Sequence, residues 1–310
     1  MMAAASPEIA AAANARLMQR ATYASVVVAA ILIVAKAVAW SITGSVSVLS
    51  SLLDSLLDAV ASAVNLFAVH HALTPADREH RFGHGKAEPL AGLAQAAFIT
   101  GSAILLLLQA AQRLRAPPPI VGGEVGIAVM VLSIVLTFAL IAYQRHVVRA
   151  TGSVAIGADR LHYAGDLLLN GSVILSLVLS GWFGFRYADP LFGIGIGLYI
   201  LVSALRIGRQ SLDLLMDREL PDDQRAKIRE IAQRHPEVKN VHDLRTRSSG
   251  VDIFVQFHIE MDPQMPLQRA HEVSDAVERE IKAAFPNAWV IIHQDPEGIE
   301  EPRQVFPKQA

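Results

Sequence analysis

The sequence predicts a membrane protein in two parts: an all-α domain of six transmembrane helices, then a cytoplasmic α+β domain of order α-β-β-α-β. Three observations carry this. Of 310 residues, 52% are hydrophobic and only 18% charged, with a mean hydropathy of +0.36, too apolar for an ordinary soluble chain. The apolar residues collect in the first two thirds, in runs of about 20 residues or more, the length that crosses a hydrocarbon core. Past residue 212 the pattern changes to amphipathic helical stretches alternating with short runs of period two. A net charge of −2 offers no basic surface for nucleic acid. The absence of cysteine excludes disulfides and thiolate metal sites.

Residues 1–21 are Ala-rich with Arg16 and Arg20. They read as a cytoplasmic tail and not as a targeting peptide, because the apolar run behind them is long enough to span. The transmembrane domain covers 22–212, with spans at roughly 22–44, 48–71, 88–112, 120–143, 156–181 and 187–211. Orientation follows from the basic loops. Arg16 and Arg20 precede the first span, Arg78, Arg81 and Lys86 follow the second, and Arg145 and Arg149 follow the fourth. The alternate loops are poorer, with Arg113 and Arg115 after the third span and Arg186 after the fifth. Both termini are therefore expected in the cytoplasm.

Two spans carry ionisable pairs at spacing i, i+4, each on one helix face: Asp54 with Asp58, and His162 with Asp166. Such groups are costly at membrane depth and usually mark an ion or proton pathway. The two spans run in opposite directions, and each pair lies about 7–11 residues from its own entry, or roughly 10–16 Å at 1.5 Å per residue. The pairs therefore converge near the midplane, where a transport site is expected. Three carboxylates and an imidazole form a ligand set for a divalent metal. Two separate pairs are the alternative, but each would need its own compensation for burial. Arg160 lies two residues before His162 and Lys36 deep in the first span; snorkelling explains either, as does a role in cation entry for Arg160 and a helix neighbour for Lys36.

The tail, 213–295, reads PDDQRAKIREIAQRH as a helix, VHDLRTR and VDIFVQFHIEM as strands joined at Ser248, Ser249 and Gly250, LQRAHEVSDAVEREIKAAF as a second helix and AWVIIHQD as a last strand. Two helices on one face of a three-stranded sheet are expected. His258 falls on the more polar face of its strand, and His293 and Asp295 share a face. With His242 and His271 they are candidate ligands, though spacing alone leaves a cluster and scattered surface histidines both open. The loop TPADREHRFGHGKAEPL offers Asp77, His80 and His84, with a solvated loop as the alternative. Residues 296–310 turn polar and Pro-rich and are expected to be disordered.

The stretches TGSVSVLSSLLDSLLD, HRFGHGKAE, ADRLHYAGD, HDLRTR and IIHQDP, in that order, resemble the cation diffusion facilitators, specifically the bacterial zinc and ferrous-iron efflux pump (FieF-type) branch. The resemblance covers nearly the whole chain. It implies an intramembrane tetrahedral site at Asp54, Asp58, His162 and Asp166, a second site at Asp77, His80 and His84, and cytoplasmic sites at His242, His258, His271, His293 and Asp295. It also implies an ion pair between Lys86 and Asp217, a metallochaperone-like tail, a homodimer, and multi-pass residence in a bacterial inner membrane. The implied activity is export of Zn²⁺, with Fe²⁺ or Cd²⁺ as further cargo, against protons; Zn²⁺ is also implied in the cytoplasmic sites.

Carboxylate and imidazole hold a metal only when deprotonated, so metal and proton compete for one site. His162 is of the residue type that exchanges its proton near physiological pH. No GxxxxGK[ST] sequence is present, so the proton gradient is the expected driving force. An intramembrane metallohydrolase would need an open coordination position and a general base, and no HExxH occurs. A membrane metal sensor without transport is the other alternative, separable by a flux assay.

Overall fold

The computed structural model describes residues 7–44, 46–115, 124–183, 185, 187–250 and 252–298. Arg186, the first residues of the N-terminal tail and the last twelve residues of the chain lie outside this set, and with them most of the stretch expected to be disordered. The chain divides into two compact units, one of them Ala13–Leu215 and the other made of the segments on either side of it.

Six long helices form the first part: α1 (Pro7–Thr43), α2 (Val46–Ala72), α3 (Ala87–Arg115), α4 (Glu124–Thr151), α5 (Val154–Phe183) and α6 (Ala188–Leu215). Over their described residues α1, α2, α3, α4 and α6 are long and apolar enough to cross a membrane. The helix α5 is 30 residues long, and Asp159, Arg160, His162 and Asp166 crowd its first half. Glycines end two helices: Gly44 (φ 59°) and Gly152 (φ 69°) take the left-handed conformation and return their N–H to Trp40 O and Val148 O at 2.8 Å.

The closest helix packing is between antiparallel α3 and α6, and small residues make it possible. A Cβ on Gly197 would stand 2.8 Å from Leu107 Cδ2, and one on Gly193 would stand 3.1 Å from Ala110 Cβ. Toward the other end, a Cβ on Gly92 would meet Ser211 Oγ at 2.8 Å. Without a hydrophobic drive between helices in lipid, close backbone approach and dispersion hold such a pair. At one end Arg113 adds a 2.9 Å bond to Asp189.

A buried carboxylate ties four helices together. Asp159 on α5 accepts from Ser25 Oγ of α1 (2.6 Å), Gln144 Nε2 of α4 (2.7 Å) and Gln95 Nε2 of α3 (3.3 Å). All four side chains are buried, so each polar bond replaces one that water cannot supply.

The second part is α7 (Asp222–Gln233), β1 (Asn240–Ser248), β2 (Ile253–Met261), α8 (Leu267–Ala284) and β3 (Ala288–Pro296), the α-β-β-α-β order expected. Pro221 caps α7 from just outside, and Asp222 and Asp223 complement its N-terminal dipole. The sheet order is β1-β2-β3, with β1–β2 antiparallel and β2–β3 parallel across the α8 crossover. Val255, Phe257 and Ile259 of β2 meet Ile228 and Ile231 of α7 and Val273, Val277 and Ile281 of α8 in one core. Strand β1 breaks its alternation with a bulge between His242 and Arg245, where Asp243 takes φ 51°. The extra residue lets Val241, Leu244 and Thr246 all point inward.

Phe257 is 1% exposed at the centre of this core. Phe257→Ala is expected to destabilise the tail by about 3–5 kcal/mol, read as lost amide-exchange protection across β1–β3 in the intact protein.

Candidate functional site

The helix α2 presents Asp54 and Asp58, and α5 presents His162 and Asp166. His162 Nε2 lies 2.8 Å from Asp58 Oδ1 and 3.9 Å from Asp166 Oδ2. Asp58, His162 and Asp166 bring one ligand atom each within 4.8 Å of one another. Asp54, one turn earlier on α2, is outside that group of three but lines the same cavity of about 200 Å³ with Asp58 and Asp166. The two helices therefore share one site and do not face separate cavities. The His162 ring lies edge-on to Phe98 and Tyr163. The Tyr163 hydroxyl lies 2.9 Å from Ser62 Oγ and donates to Ser25 O at 3.3 Å, which fixes the ring beside the imidazole.

Lys36 does not reach outward but toward the neighbouring helix. Its Nζ donates to Ser55 Oγ at 2.6 Å and to Ser51 O at 3.1 Å, and it lines the same cavity. Ser51, Asp54, Ser55 and Asp58 form one stripe of α2. That spacing was readable in the sequence; which helix supplies the cation was not. Arg160 is half-buried.

The loop after α2 gathers Asp77, His80 and His84 with ligand atoms within 4.8 Å. Asp77 Oδ1 accepts from the backbone N–H of His80 (2.6 Å) and Glu79 (2.9 Å), and Oδ2 lies 3.4 Å from His84 Nε2. The His80 N–H, then that of Glu79, hold the Asp77 carboxyl below the ordinary carboxylate range. Gly83 at φ 78° turns the chain, so a turn and not a helix sets these side chains. The His71 ring packs 4.6 Å from that of His84. It went unnoticed in the sequence, where its signal was the histidine pair closing α2.

On the tail sheet the strand register brings the histidines together. His242 pairs with His258 and His258 with His293 across the three strands, on the face turned away from the helices. Asp295, 6% exposed, lies 2.8 Å from His258 Nδ1, 3.3 Å from His242 Nε2 and 3.1 Å from His293 Nε2. His242 Nδ1 also lies 3.0 Å from Glu260 Oε1, a carboxylate outside the expected set. His271 does not join this group within one chain: it stands exposed on α8, 3.6 Å from Asp275. Lys86 donates to Leu215 O at 3.3 Å, and Asp217 accepts from Arg247 at 3.1 Å.

The family model for the cation efflux transmembrane domain matches residues 22–216, and that for the cation efflux protein, cytoplasmic domain, matches 220–297. The chain belongs to the cation efflux family. The cation-efflux pump FieF of Serratia proteamaculans is 50% identical over 282 residues, 91% of this chain and 94% of that protein. FieF of Yersinia enterocolitica is 50% identical over 285 residues, 92% and 95% of the two chains. Among solved structures, CzrB in a Zn form shares 34% identity over 28% of this chain and 99% of that one, at a TM-score of 0.26. A MamM C-terminal domain in a nickel form shares 30% over 26% and 100%, at 0.23. As a cation efflux protein the chain is a multi-pass membrane transporter that exports divalent metal cations, and not an enzyme.

Because backbone N–H groups hold the Asp77 carboxyl down, it stays ionised below the ordinary aspartate pKa of about 3.9. The turn it organises is expected to persist as pH falls to that value and to loosen only below it. In Asp77→Ala the amides of His80 and Glu79 should exchange faster with solvent at neutral pH, and the loosening expected of the unaltered protein below about pH 3.9 should be absent, as followed by hydrogen-exchange protection.

Proposed function

We propose that this cation efflux protein exchanges cytoplasmic Zn²⁺ for external protons by alternating access around Asp54, Asp58, His162 and Asp166. The observation that carries the reading is the approach of Asp58, His162 and Asp166 to within 4.8 Å from two different helices. Oxygen and nitrogen ligands in a tetrahedral number suit zinc, and Fe²⁺ and Cd²⁺ are further cargo. The inward-facing site loads metal when its ligands are deprotonated. Protons entering from the other side displace the cation and return with the site. The basic loops support cytoplasmic termini, and the FieF relatives support a bacterial inner membrane.

Asp77, His80 and His84 form a second cation site on this reading. In the tail, His242, His258, His293 and Asp295 hold Zn²⁺, with His271 as a further ligand candidate. The chain works as a homodimer: Trp289 and Ile291 are 56% and 60% exposed on the outer sheet face, apolar area of the kind a second copy covers. Metal held by the tail would favour one arrangement of the two tails through differential affinity.

The test is Zn²⁺ flux into proteoliposomes with a pH gradient. Asp58→Ala or His162→Ala is expected to lower saturable flux by at least about a hundredfold, more than the 10–100-fold loss typical of an outer-shell change, with the helical content unchanged. Wild-type flux from folded Asp58→Ala would overturn the assignment. Protons compete with metal, so raising the pH on the receiving side should slow exchange, and a sensor without transport would give no flux at all.

For the tail, spin labels on the two copies should move closer when Zn²⁺ is added. His258→Ala with His293→Ala should abolish the movement while residual flux remains. Label distances that ignore Zn²⁺ in the unaltered protein would make the tail sites purely structural.

A further inference from the structure

The ammonium of Lys36 sits in the cavity lined by Asp54, Asp58 and Asp166, and the transport reading gives it no task. Its bonds go to neutral acceptors, Ser55 Oγ and Ser51 O. Those two residues alternate with Asp54 and Asp58 along one stripe of α2. The ammonium is therefore anchored beside the carboxylates while their oxygens stay available to a metal.

We propose that Lys36 is a tethered counter-charge of the transport cavity, setting how tightly a divalent cation is held and how readily it leaves; this rests on the assignment of the cavity as the transport site. Net charge is costly in a cavity inside a low-dielectric bundle. Three ionised carboxylates and one ammonium leave two negative charges, which a divalent cation cancels while the imidazole of His162 is neutral. Two protons cancel the same charge on the return. Without the ammonium the loaded cavity keeps an excess negative charge, which attracts metal more strongly and opposes its release. Arginine in place of Lys36 would retain the charge; a neutral side chain would not. Among the described residues, the charged or titratable groups that line the cavity with Lys36 are Asp54, Asp58, Tyr163 and Asp166, with His162 adjoining them.

The experiment is Zn²⁺ flux in proteoliposomes as a function of Zn²⁺ concentration and of pH on the receiving side. It compares the wild type, Lys36→Gln, Lys36→Met, Lys36→Arg and Asp58→Ala. Lys36→Gln is expected to lower KM about tenfold and to lower the maximal rate with it, since release becomes limiting. Acidifying the receiving side should restore the rate, and Lys36→Arg should behave as wild type. Lys36→Met keeps the length of the stem without the charge and should repeat the result, which guards against a Gln variant that fails to insert. An unchanged or higher KM in a folded neutral variant, or a Lys36→Arg protein that behaves like Lys36→Gln, overturns the proposal. Flux surviving in Asp58→Ala removes the site assignment itself. Flux lost in Asp58→Ala, with KM unmoved in the Lys36 variants, removes only the role of Lys36.

Discussion

An ionisable group at membrane depth has to be answered by another protein group, and the transmembrane unit is organised around that requirement. Asp159 takes a hydroxyl and two amides from three other helices. His162 takes Asp58 at 2.8 Å. Lys36 takes a serine hydroxyl and a backbone carbonyl from α2. In water these contacts would be worth little, because solvent offers equivalent bonds. In a bundle surrounded by lipid, losing one partner leaves the other uncompensated.

The same α5 carries two kinds of carboxylate about two turns apart. Asp159 is saturated by fixed neutral donors and fastens the bundle. Asp166, on the cavity, has His162 3.9 Å away as a partial partner and space beside it. The difference is one of surroundings and not of residue type. It follows from the level along α5 that each occupies, since i and i+7 share one face: Asp159 meets α1, α3 and α4, while Asp166 opens into the cavity shared with α2. The tight α3–α6 seam of glycine and alanine offers a firm surface against which such a site can work, since small residues let two backbones approach with little side-chain freedom lost.

In the tail, ligand geometry is a product of strand register. His242, His258 and His293 stand in one row because β1–β2 and β2–β3 pair in that register, and Asp295 follows two residues after His293 on the same face. The bulge after His242 permits this row to coexist with a continuous core. Were Asp243 counted in a regular alternation and not absorbed by the bulge, Leu244 and Thr246 would turn outward and expose apolar surface.

The sequence by itself determined the two-part architecture, the six long helices and the α-β-β-α-β order, because each rests on local periodicity and length. It also determined the pairing of Asp54 with Asp58 and of His162 with Asp166 on single helix faces, and with span direction it brought them to similar depth. Tertiary structure alone decided what no local pattern encodes. Asp58, and not Asp54, is the carboxylate of α2 that meets His162; Lys36 turns inward to α2; His71 joins the loop histidines; Glu260 joins the tail cluster while His271 stays apart. It also decided that β2 and β3 run parallel and that α3 and α6 are the pair in closest contact. These depend on helix rotation, strand register and the fit of small side chains against a neighbour, quantities set by which surfaces meet and not by the order of residues along either one.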